Sequence, residues 1–268
     1  MGTSEQGLNG KIALVTGSTT GIGEAIARKL HAAGASVMIH GRRKEEAEIV
    51  VKSLNALRSG SAAYHLAELG NPEECEGLVA SVLEKFRLIN ILVNNAALTS
   101  RSNLETTDSE VFDRIISINL RAPLLLIRSA LPHFRKVGGG RVLNIGSING
   151  HCGEANLLAY SISKGGLITL SRNLADTYGR EGIMVNHFNV GWTLTPNEYA
   201  LKIREGLPED WPTRLPKTSA PSGSLLSPDQ IAHFALNILS EEAGSINGAV
   251  IDLEQYPVIG RNPIKETA

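Results

Sequence analysis

Tyr160 and Lys164 stand four residues apart in Tyr160-Ser161-Ile162-Ser163-Lys164. On a helix that spacing puts phenol and ammonium on one face. A phenol titrating near 10 is a poor base at neutral pH. An ammonium ~4–5 Å away, at an effective dielectric of ~20, is worth about 3–4 kcal/mol, enough to bring the phenol down by about two to three pH units. Proton exchange with a substrate oxygen then becomes practical. Such a pair also arises by chance on exposed helices, so position decides. Ser147 lies 13 residues before Tyr160, just past the apolar run 141–145. That run reads as a strand, and sheet ligands bind beyond strand ends. A hydroxyl there can donate to a carbonyl oxygen as negative charge develops.

A second cluster precedes it in the chain. Thr16-Gly17-Ser18-Thr19-Thr20-Gly21-Ile22-Gly23 joins the apolar run 12–15 to a helix-period stretch. A strand-to-helix turn of this kind offers backbone N–H groups and a helix N-terminus to a pyrophosphate. Glycines keep a Cβ out of the way and permit positive φ. The spacing G-x-x-x-G-x-G is one residue looser than the dinucleotide fingerprint, and no Gly-Lys-Ser/Thr follows to make a P-loop. By itself the cluster is also compatible with an ordinary turn. At the end of the next strand an NAD site wants a carboxylate and an NADP site an arginine. His40-Gly41-Arg42-Arg43 stands there, and Arg42 offers phosphate a planar fork. NADP(H) is therefore favoured over NAD(H), with a solvated turn cation as the alternative reading of Arg42.

The elements that must position these groups alternate. Apolar runs at 12–15, 37–39, 62–66, 91–93, 141–145, 183–188 and 249–253 are separated by helix-period stretches. Continuous apolar strands between helices imply a parallel sheet covered on both faces. Right-handed crossovers then give a doubly wound α/β sheet in a single domain. Asn94-Asn95-Ala96-Ala97 ends the fourth strand, where small side chains allow close backbone approach. The region 108–135 reads as long and amphipathic, and 157–178 as the helix carrying Tyr160. Six of the 11 prolines fall within 193–229. Such a connection after a strand end predicts a lid over the substrate, at 193–228. Trp192, Tyr199 and Trp211 stand around it, able either to cover substrate or to pack the lid onto the body. Asn149, His151 and Cys152 follow Ser147 and are expected to face the pocket, His151 as a hydrogen-bonding wall.

Composition narrows the field. In 268 residues, 26 basic against 27 acidic side chains leave a formal charge of −1. That balance argues against a dedicated nucleic-acid or anionic-membrane surface. No uncharged apolar run approaches the ~18 residues of a membrane span, and residues 1–6 lack the apolar core of a leader. Cys75 and Cys152 make no disulfide framework and fit a reducing compartment, so a cytoplasmic location is expected. No metal-ligand spacing occurs, and Ser147 does not sit in a Gly-x-Ser-x-Gly elbow.

Together, Thr16-Gly17 to Gly21-Ile22-Gly23, Asn94-Asn95-Ala96, Asn119, Ser147 and Tyr160 with Lys164 make the chain resemble the short-chain dehydrogenase/reductase family over about residues 8–255. The resemblance implies a seven-stranded parallel sheet and hydride transfer between nicotinamide and a carbonyl or alcohol. It implies Tyr160 as general acid/base and Lys164 as the group that lowers its pKa and holds the nicotinamide ribose. Ser147 would orient the substrate oxygen, and Asn119 would hold a water relaying protons to Lys164. Gly17, Thr19, Gly21, Ile22, Gly23, Arg42, Arg43, Glu68, Leu69, Asn95, Ala96, Thr193 and Thr195 would line the cofactor cleft. Glu68 and Leu69 would lie near the adenine, Thr193 beside the carboxamide, and Thr195 would touch the cofactor with its hydroxyl. Glu68 is equally compatible with a solvated loop charge, and Asn95 with an amide that stabilises the turn. A homo-oligomer, dimer or homotetramer, is implied through the helices at 108–135 and 157–178. The chain departs from the family at Ala97, at Val190 before Gly191, and at Glu254-Gln255-Tyr256. Asn149, His151 and Trp192, polar groups with few aromatics, suggest a small polar substrate such as a sugar, polyol or hydroxy-ketone. The alternatives are a 3-oxoacyl-[acyl-carrier-protein] reductase-like enzyme and a dinucleotide-binding sensor without chemistry.

Overall fold

The computed structural model describes residues 7–217 and 220–256. The leaderless reading of residues 1–6 lies outside the described residues. Strands β1 (Ile12–Val15), β2 (Ser36–Gly41), β3 (Ala62–Leu66), β4 (Ile91–Asn94), β5 (Gly140–Ser147), β6 (Ile183–Val190) and β7 (Val250–Leu253) form one sheet in the order β3-β2-β1-β4-β5-β6-β7. Every pairing is parallel. The order reverses between β1 and β4, which opens a crevice beyond their carboxyl ends. All four residues of β1 are buried, as continuous apolar patterning requires of a strand covered on both sides.

Helices α1 (Gly21–Ala32), α2 (Lys44–Leu57), α3 (Pro72–Phe86), α4 (Ser109–Ile116), α5 (Ala122–Lys136), α6 (Asn149–Cys152), α7 (Leu158–Tyr178), α8 (Pro196–Arg204) and α9 (Pro228–Leu239) surround it. On one face Ile26, Ala27 and Leu30 of α1 meet Ile231, Ala232, Ala235 and Leu236 of α9 over the even strand positions Val37 and Ile39. On the other, Leu78 and Val82 of α3 pack with Leu126 and Phe134 of α5 over Leu92, Val142 and Val185. Truncating a buried leucine such as Leu30 to alanine in cores of this kind costs ~2–5 kcal/mol. Entry into α9 is fixed by a capping box between Ser227 and Gln230 with Pro228 in the first turn.

Three features differ from the sequence reading. β5 and β6 extend two residues further, because Ile145, Gly146 and Ser147 pair with Phe188, Asn189 and Val190 to the end of the register. The extension delivers Ser147 from a strand end rather than a loop. The stretch 108–135 resolves into α4, a π-turn at Ser117–Arg121 and α5. Taken together, Ser109–Lys136 is long and apolar enough to cross a membrane by length and composition, and half of its apolar window is buried in this fold. Isolated arginines at 121 and 128 had hidden that length in the sequence. Finally, the lid region holds a helix, α8, whose N-cap Thr195 accepts from the Glu198 N–H. Thr195-Pro196-Asn197-Glu198 is a capping pattern that could have announced it.

Candidate active site

The glycine turn is held from three sides. Gly17 and Gly21 adopt φ of +63° and +60°, where a side chain is strained. A Cβ on Gly23 would stand 2.3 Å from the Gly17 carbonyl oxygen, and one on Gly17 3.0 Å from the Ala96 Cα. From β4, the Asn95 amide donates to the carbonyls of Thr16 and Gly17 at 2.9 and 3.1 Å, while the N–H groups of Asn95 and Ala96 donate to the Thr16 hydroxyl. Asn95 therefore braces the turn, the second of the two roles open to it. From β2, His40 accepts the Gly17 N–H on Nδ1 at 3.0 Å, with Nε2 against the Ala67 carbonyl at 3.1 Å. Burial pushes the His40 pKa down to about 4, so the ring stays neutral and keeps its acceptor nitrogen. Sequence reasoning gave His40 no role; a histidine closing a buried strand beside a glycine turn was the available signal.

The open end of α1 completes the cradle. Thr20 makes no side-chain cap, which leaves the first N–H groups of the helix and its dipole to an anion. Ile22 packs toward the core. Thr19 sits over Gly41, whose Cβ would clash with the Thr19 methyl at 2.5 Å. Beside it lie Arg42, paired with Glu68 at 3.4 Å, and Arg43, paired with Glu46. Glu46 also accepts from Thr19 at 3.4 Å. This corner carries both signs of charge, with Arg42 mostly exposed. Leu69 turns its side chain into the core, so it offers a ligand backbone only. The turn, the uncapped helix and the arginine corner fit a nicotinamide dinucleotide.

The catalytic groups meet past the ends of β5 and β6. Tyr160 projects from α7 to a hydrogen bond with the Ser147 hydroxyl, and Ser147 also accepts the Asn149 N–H at 3.2 Å. Lys164, one turn along, is 3% exposed and donates to the Ile145 carbonyl at 2.8 Å. Its Nζ lies 5.6 Å from the centre of the Tyr160 ring. Here the electrostatics differ from the sequence expectation. Burial pushes the phenol up to about 12, the Ser147 hydrogen bond pulls it back, and the Glu198 carboxylate raises it further. Burial also brings Lys164 down to about 8. The ammonium does not depress the phenol: it spends itself on a carbonyl of β5 and stands over the ring.

Asn119, in the π-turn, commits its amide to structure. Its Oδ1 accepts the Leu98 N–H at 2.8 Å, and Nδ2 donates to the Leu98 carbonyl and the Ser163 hydroxyl, each at 3.0 Å. Both amide hydrogens are thus taken, which leaves a water the second lone pair of Oδ1 or the main chain of a helix turn that π-geometry loosens.

Of the residues expected around the substrate, some gather and some turn away. Asn149 follows Ser147 at the head of α6. His151 is engaged by side chains of the sheet: Nε2 lies 3.1 Å from Asp252 Oδ1 and 2.7 Å from Asn189 Nδ2, tying α6 to β6 and β7. Trp192 stacks on Trp211 at 5.7 Å, and Tyr199 lies 6.3 Å from the other ring of that pair, Trp211. With Leu194, Ile203, Leu215 and Leu225 they make a small core of the lid itself. Thr193 pairs by backbone with Leu226 and bonds its hydroxyl to the Gly191 carbonyl at 3.1 Å. Thr195 spends an acceptor position on capping α8 and lies within 3.4 Å of where a Gly21 Cβ would be. The departures after β7 have a use: Gln255 accepts from Ser222 and donates to Ser224, and Tyr256 donates to the Lys217 carbonyl, fastening the lid's far end. Glu254 fills the space over Gly191. Beneath the site runs a polar seam, Asn94–Asn144–Ser171–His187–Asn189–Asp252, linked at 2.8, 2.9, 3.1, 2.9 and 2.8 Å. Sequence reasoning missed it. No group of three or more metal-ligating side chains occurs among the described residues.

Known proteins share this arrangement. The model for "short chain dehydrogenase" matches residues 11–205. A D-beta-hydroxybutyrate dehydrogenase of Rhizobium meliloti is 31% identical, over 91% of this chain and 97% of its own. A 3-oxoacyl-[acyl-carrier-protein] reductase of Rickettsia felis is 33% identical, over 91% and 95%. The crystal structure of L-sorbose reductase from Gluconobacter frateurii, complexed with NADPH and L-sorbose, superposes with a TM-score of 0.88 at 27% identity, covering 93% of this chain and 97% of that one. With the glycine turn, Ser147, Tyr160 and Lys164 in one crevice, the chain belongs to the short-chain dehydrogenase family of NAD(P)-dependent oxidoreductases.

Proposed function

We propose that this enzyme works as an NADPH-dependent reductase of a small, polar carbonyl compound. One observation carries the reading: the Tyr160 phenol, hydrogen-bonded to Ser147 and one helical turn from Lys164, stands past the ends of β5 and β6 beside a dinucleotide cradle. Burial keeps the proton on the phenol at neutral pH, so the group that a carbonyl oxygen meets there is a general acid. The nicotinamide, when bound, supplies the hydride that reaches the carbonyl carbon. Ser147 donates to the carbonyl oxygen and stabilises its growing charge. Tyr160 gives its proton to that oxygen, so the carbonyl becomes an alcohol and the phenolate remains. Lys164, buried below it with its ammonium on the Ile145 carbonyl, would hold the nicotinamide ribose when the cofactor is bound. The reverse, alcohol oxidation, needs the phenolate first and is favoured by alkali.

Gly17, Gly21, Ile22, Gly23 and Thr19 would hold the pyrophosphate, Ala96 and Thr193 the nicotinamide side. Arg42 and Arg43 support the preference for a 2′-phosphate, with Glu46 and Glu68 as competing charges. The lid at 193–228 closes over the substrate. L-sorbose, the ligand of a relative that superposes on nearly the whole chain, supports the polar substrate class. The similarity to the Rickettsia enzyme supports a second reading, an acyl-carrier-linked substrate. Leu124 on α5 and Ile162 on α7, 43% and 47% exposed, support a homotetramer, and the cysteine usage a cytoplasmic site. The test is a panel of free ketoses, hydroxy-ketones and carrier-linked 3-oxoacyl thioesters with NADPH and NADH. Reduction of free polar ketones with NADPH is expected. Turnover of the carrier-linked thioesters alone would transfer the assignment to the second reading, and binding without any turnover would leave a sensor.

A further inference from the structure

The roof of the cleft is α8. Its first turn rests on the cofactor side, where Thr195 meets Gly21. Its last turn is tethered to the opposite wall: Glu205 receives Arg101 at 3.0 and 2.9 Å. Arg101 belongs to the loop after β4, and that loop pairs through Ser102 with Leu157 at the head of the catalytic helix. The helix thus runs from the glycine turn to the loop beside the catalytic helix.

Five charges run along this roof and they are not equally occupied; Arg204 turns back to the Ala200 carbonyl. Lys202 Nζ is 2.8 Å from Glu205 and 4.0 Å from Glu198, and it hangs 5.6 Å over the Trp192 ring. Arg101 shares the same Glu205. Both cations are therefore drawn toward Glu205, at the end of α8 away from the cofactor. Glu198 is held by a different partner: its Oε1 accepts the Trp192 indole N–H at 2.8 Å. Trp192 comes two residues after Val190, the register partner of Ser147. That bond ties the carboxylate to the segment that leaves the end of β6, next to the strand that ends in the catalytic serine. Among the described residues no hydrogen bond reaches its other oxygen, Oε2. Of the charges on the roof, Glu198 is also the one whose field is felt at the Tyr160 phenol. The roof thus keeps one carboxylate oxygen without a hydrogen bond among the described residues, on the side of the catalytic groups, while Lys202 and Arg101 are engaged at Glu205.

We propose that Glu198 determines the charge of the substrate: its outer oxygen accepts a hydrogen bond from a hydroxyl of a neutral, polyhydroxylated carbonyl compound and repels one that carries a carboxylate. This rests on the reductase reading above and narrows it. Two like charges about 6 Å apart at an effective dielectric of about 20 discriminate on the order of 100-fold. A site that hydrogen-bonds a hydroxyl further penalises a ligand that lacks one.

A matched pair of ketones tests this: L-sorbose, neutral, and 5-keto-D-gluconate, of the same length with a carboxylate. Each is reduced with NADPH by the wild type, Glu198→Gln and Glu198→Lys, with NADPH affinity measured in all three. The wild type is expected to favour the neutral ketone on the order of 100-fold in kcat/KM. Glu198→Gln should remove most of that preference, on the order of 100-fold, through KM of the acid, and Glu198→Lys should reverse it, at unchanged NADPH affinity. If turnover of the pair is slow, the same ratio is read from inhibition by glucitol and gluconate of any ketone the enzyme reduces. A preference that stays the same in both variants, or a wild type that favours the acid, overturns the proposal. A wild type that binds NADPH yet reduces no carbonyl overturns the reductase reading itself, and the proposal falls with it.

Discussion

The two walls of the crevice are built by different means. On the β1–β3 side, the glycine turn is shaped by backbone: positive φ at Gly17 and Gly21, a Gly23 with no room for a Cβ, a Gly17 N–H accepted by His40 and turn carbonyls that accept from Asn95. On the β6 side, the lid is shaped by side chains from distant segments: Arg101 with Glu205, Trp192 with Glu198, Gln255 with Ser222. Backbone sterics leave few solutions, and the dinucleotide they receive is always the same. Side-chain contacts are exchangeable without disturbing the sheet. A shared cofactor and a private substrate call for that division.

The sharpest break of this comparison is at the group both walls serve. Tyr160→Phe should lower kcat about 1,000-fold, since general acid catalysis contributes typically 10²–10⁴, while NADPH binding measured by fluorescence persists. Loss of both together would mean that the phenol holds the cofactor wall rather than the reaction.

Acid should strain each wall through one histidine. His40 and His187 titrate near 4 in the fold, pushed down first by burial, against an ordinary value near 6.5. The unfolded chain therefore binds more protons between pH 6.5 and 4, and stability falls as pH drops through that window. At pH 5 the loss is about 2 kcal/mol for each ring relative to pH 7. Urea unfolding at the two pH values checks it. His40→Asn and His187→Asn should each flatten about half of the dependence, and an unchanged profile in both would place the acid sensitivity elsewhere.

Gly23→Ala should damage the cofactor wall selectively. The new Cβ overlaps the Gly17 carbonyl and the Asn95 amide, which costs about 1–3 kcal/mol of stability in a packed site and on the order of 100-fold in affinity for either dinucleotide. Calorimetry separates the two effects.

Arg42→Asp should act more finely, weakening NADPH about 10–100-fold relative to NADH, the range of a hydrogen bond to a charged group. Equal loss of both cofactors would remove Arg42 from the 2′-phosphate.

The smallest effect belongs to the lid tether. Arg101→Ala breaks an exposed pair worth up to about 1 kcal/mol. It should raise KM for the ketone up to about fivefold and leave NADPH affinity as it was. A change in cofactor affinity here would blur the division between the walls.

How far the sequence could be read follows the same division. The sheet, its single domain and the glycine turn are local in sequence, and the strand runs and the 16–23 spacing announced them. Ser147, Tyr160 and Lys164 lie close in the chain, with only the short α6 between β5 and α7, so one short connection and one helical turn suffice to bring them together. The phenol's high pKa was not legible, because it depends on burial and on an ammonium aimed at Ile145. His151 was read toward the pocket since it follows Ser147, yet Asp252, 101 residues away, claims it. Glu198 and Arg101 drew no notice for a similar reason: their partners are set by how the lid folds back, and charge at an exposed position carries no sign of its neighbour.

The seam from Asn94 to Asp252 has one more consequence. An oily interior tolerates a strand that slides by a residue, because one methyl is much like the next. A row of amides, a hydroxyl and an imidazole does not: displaced by one pleat, each donor would face the wrong layer and sit unanswered in a dry interior, at about 1–3 kcal/mol apiece. Four strands are thereby keyed like the wards of a lock. The groups at their tips inherit that alignment, so the spacing between serine hydroxyl, cofactor turn and roof is calibrated from below, by residues that touch neither ligand.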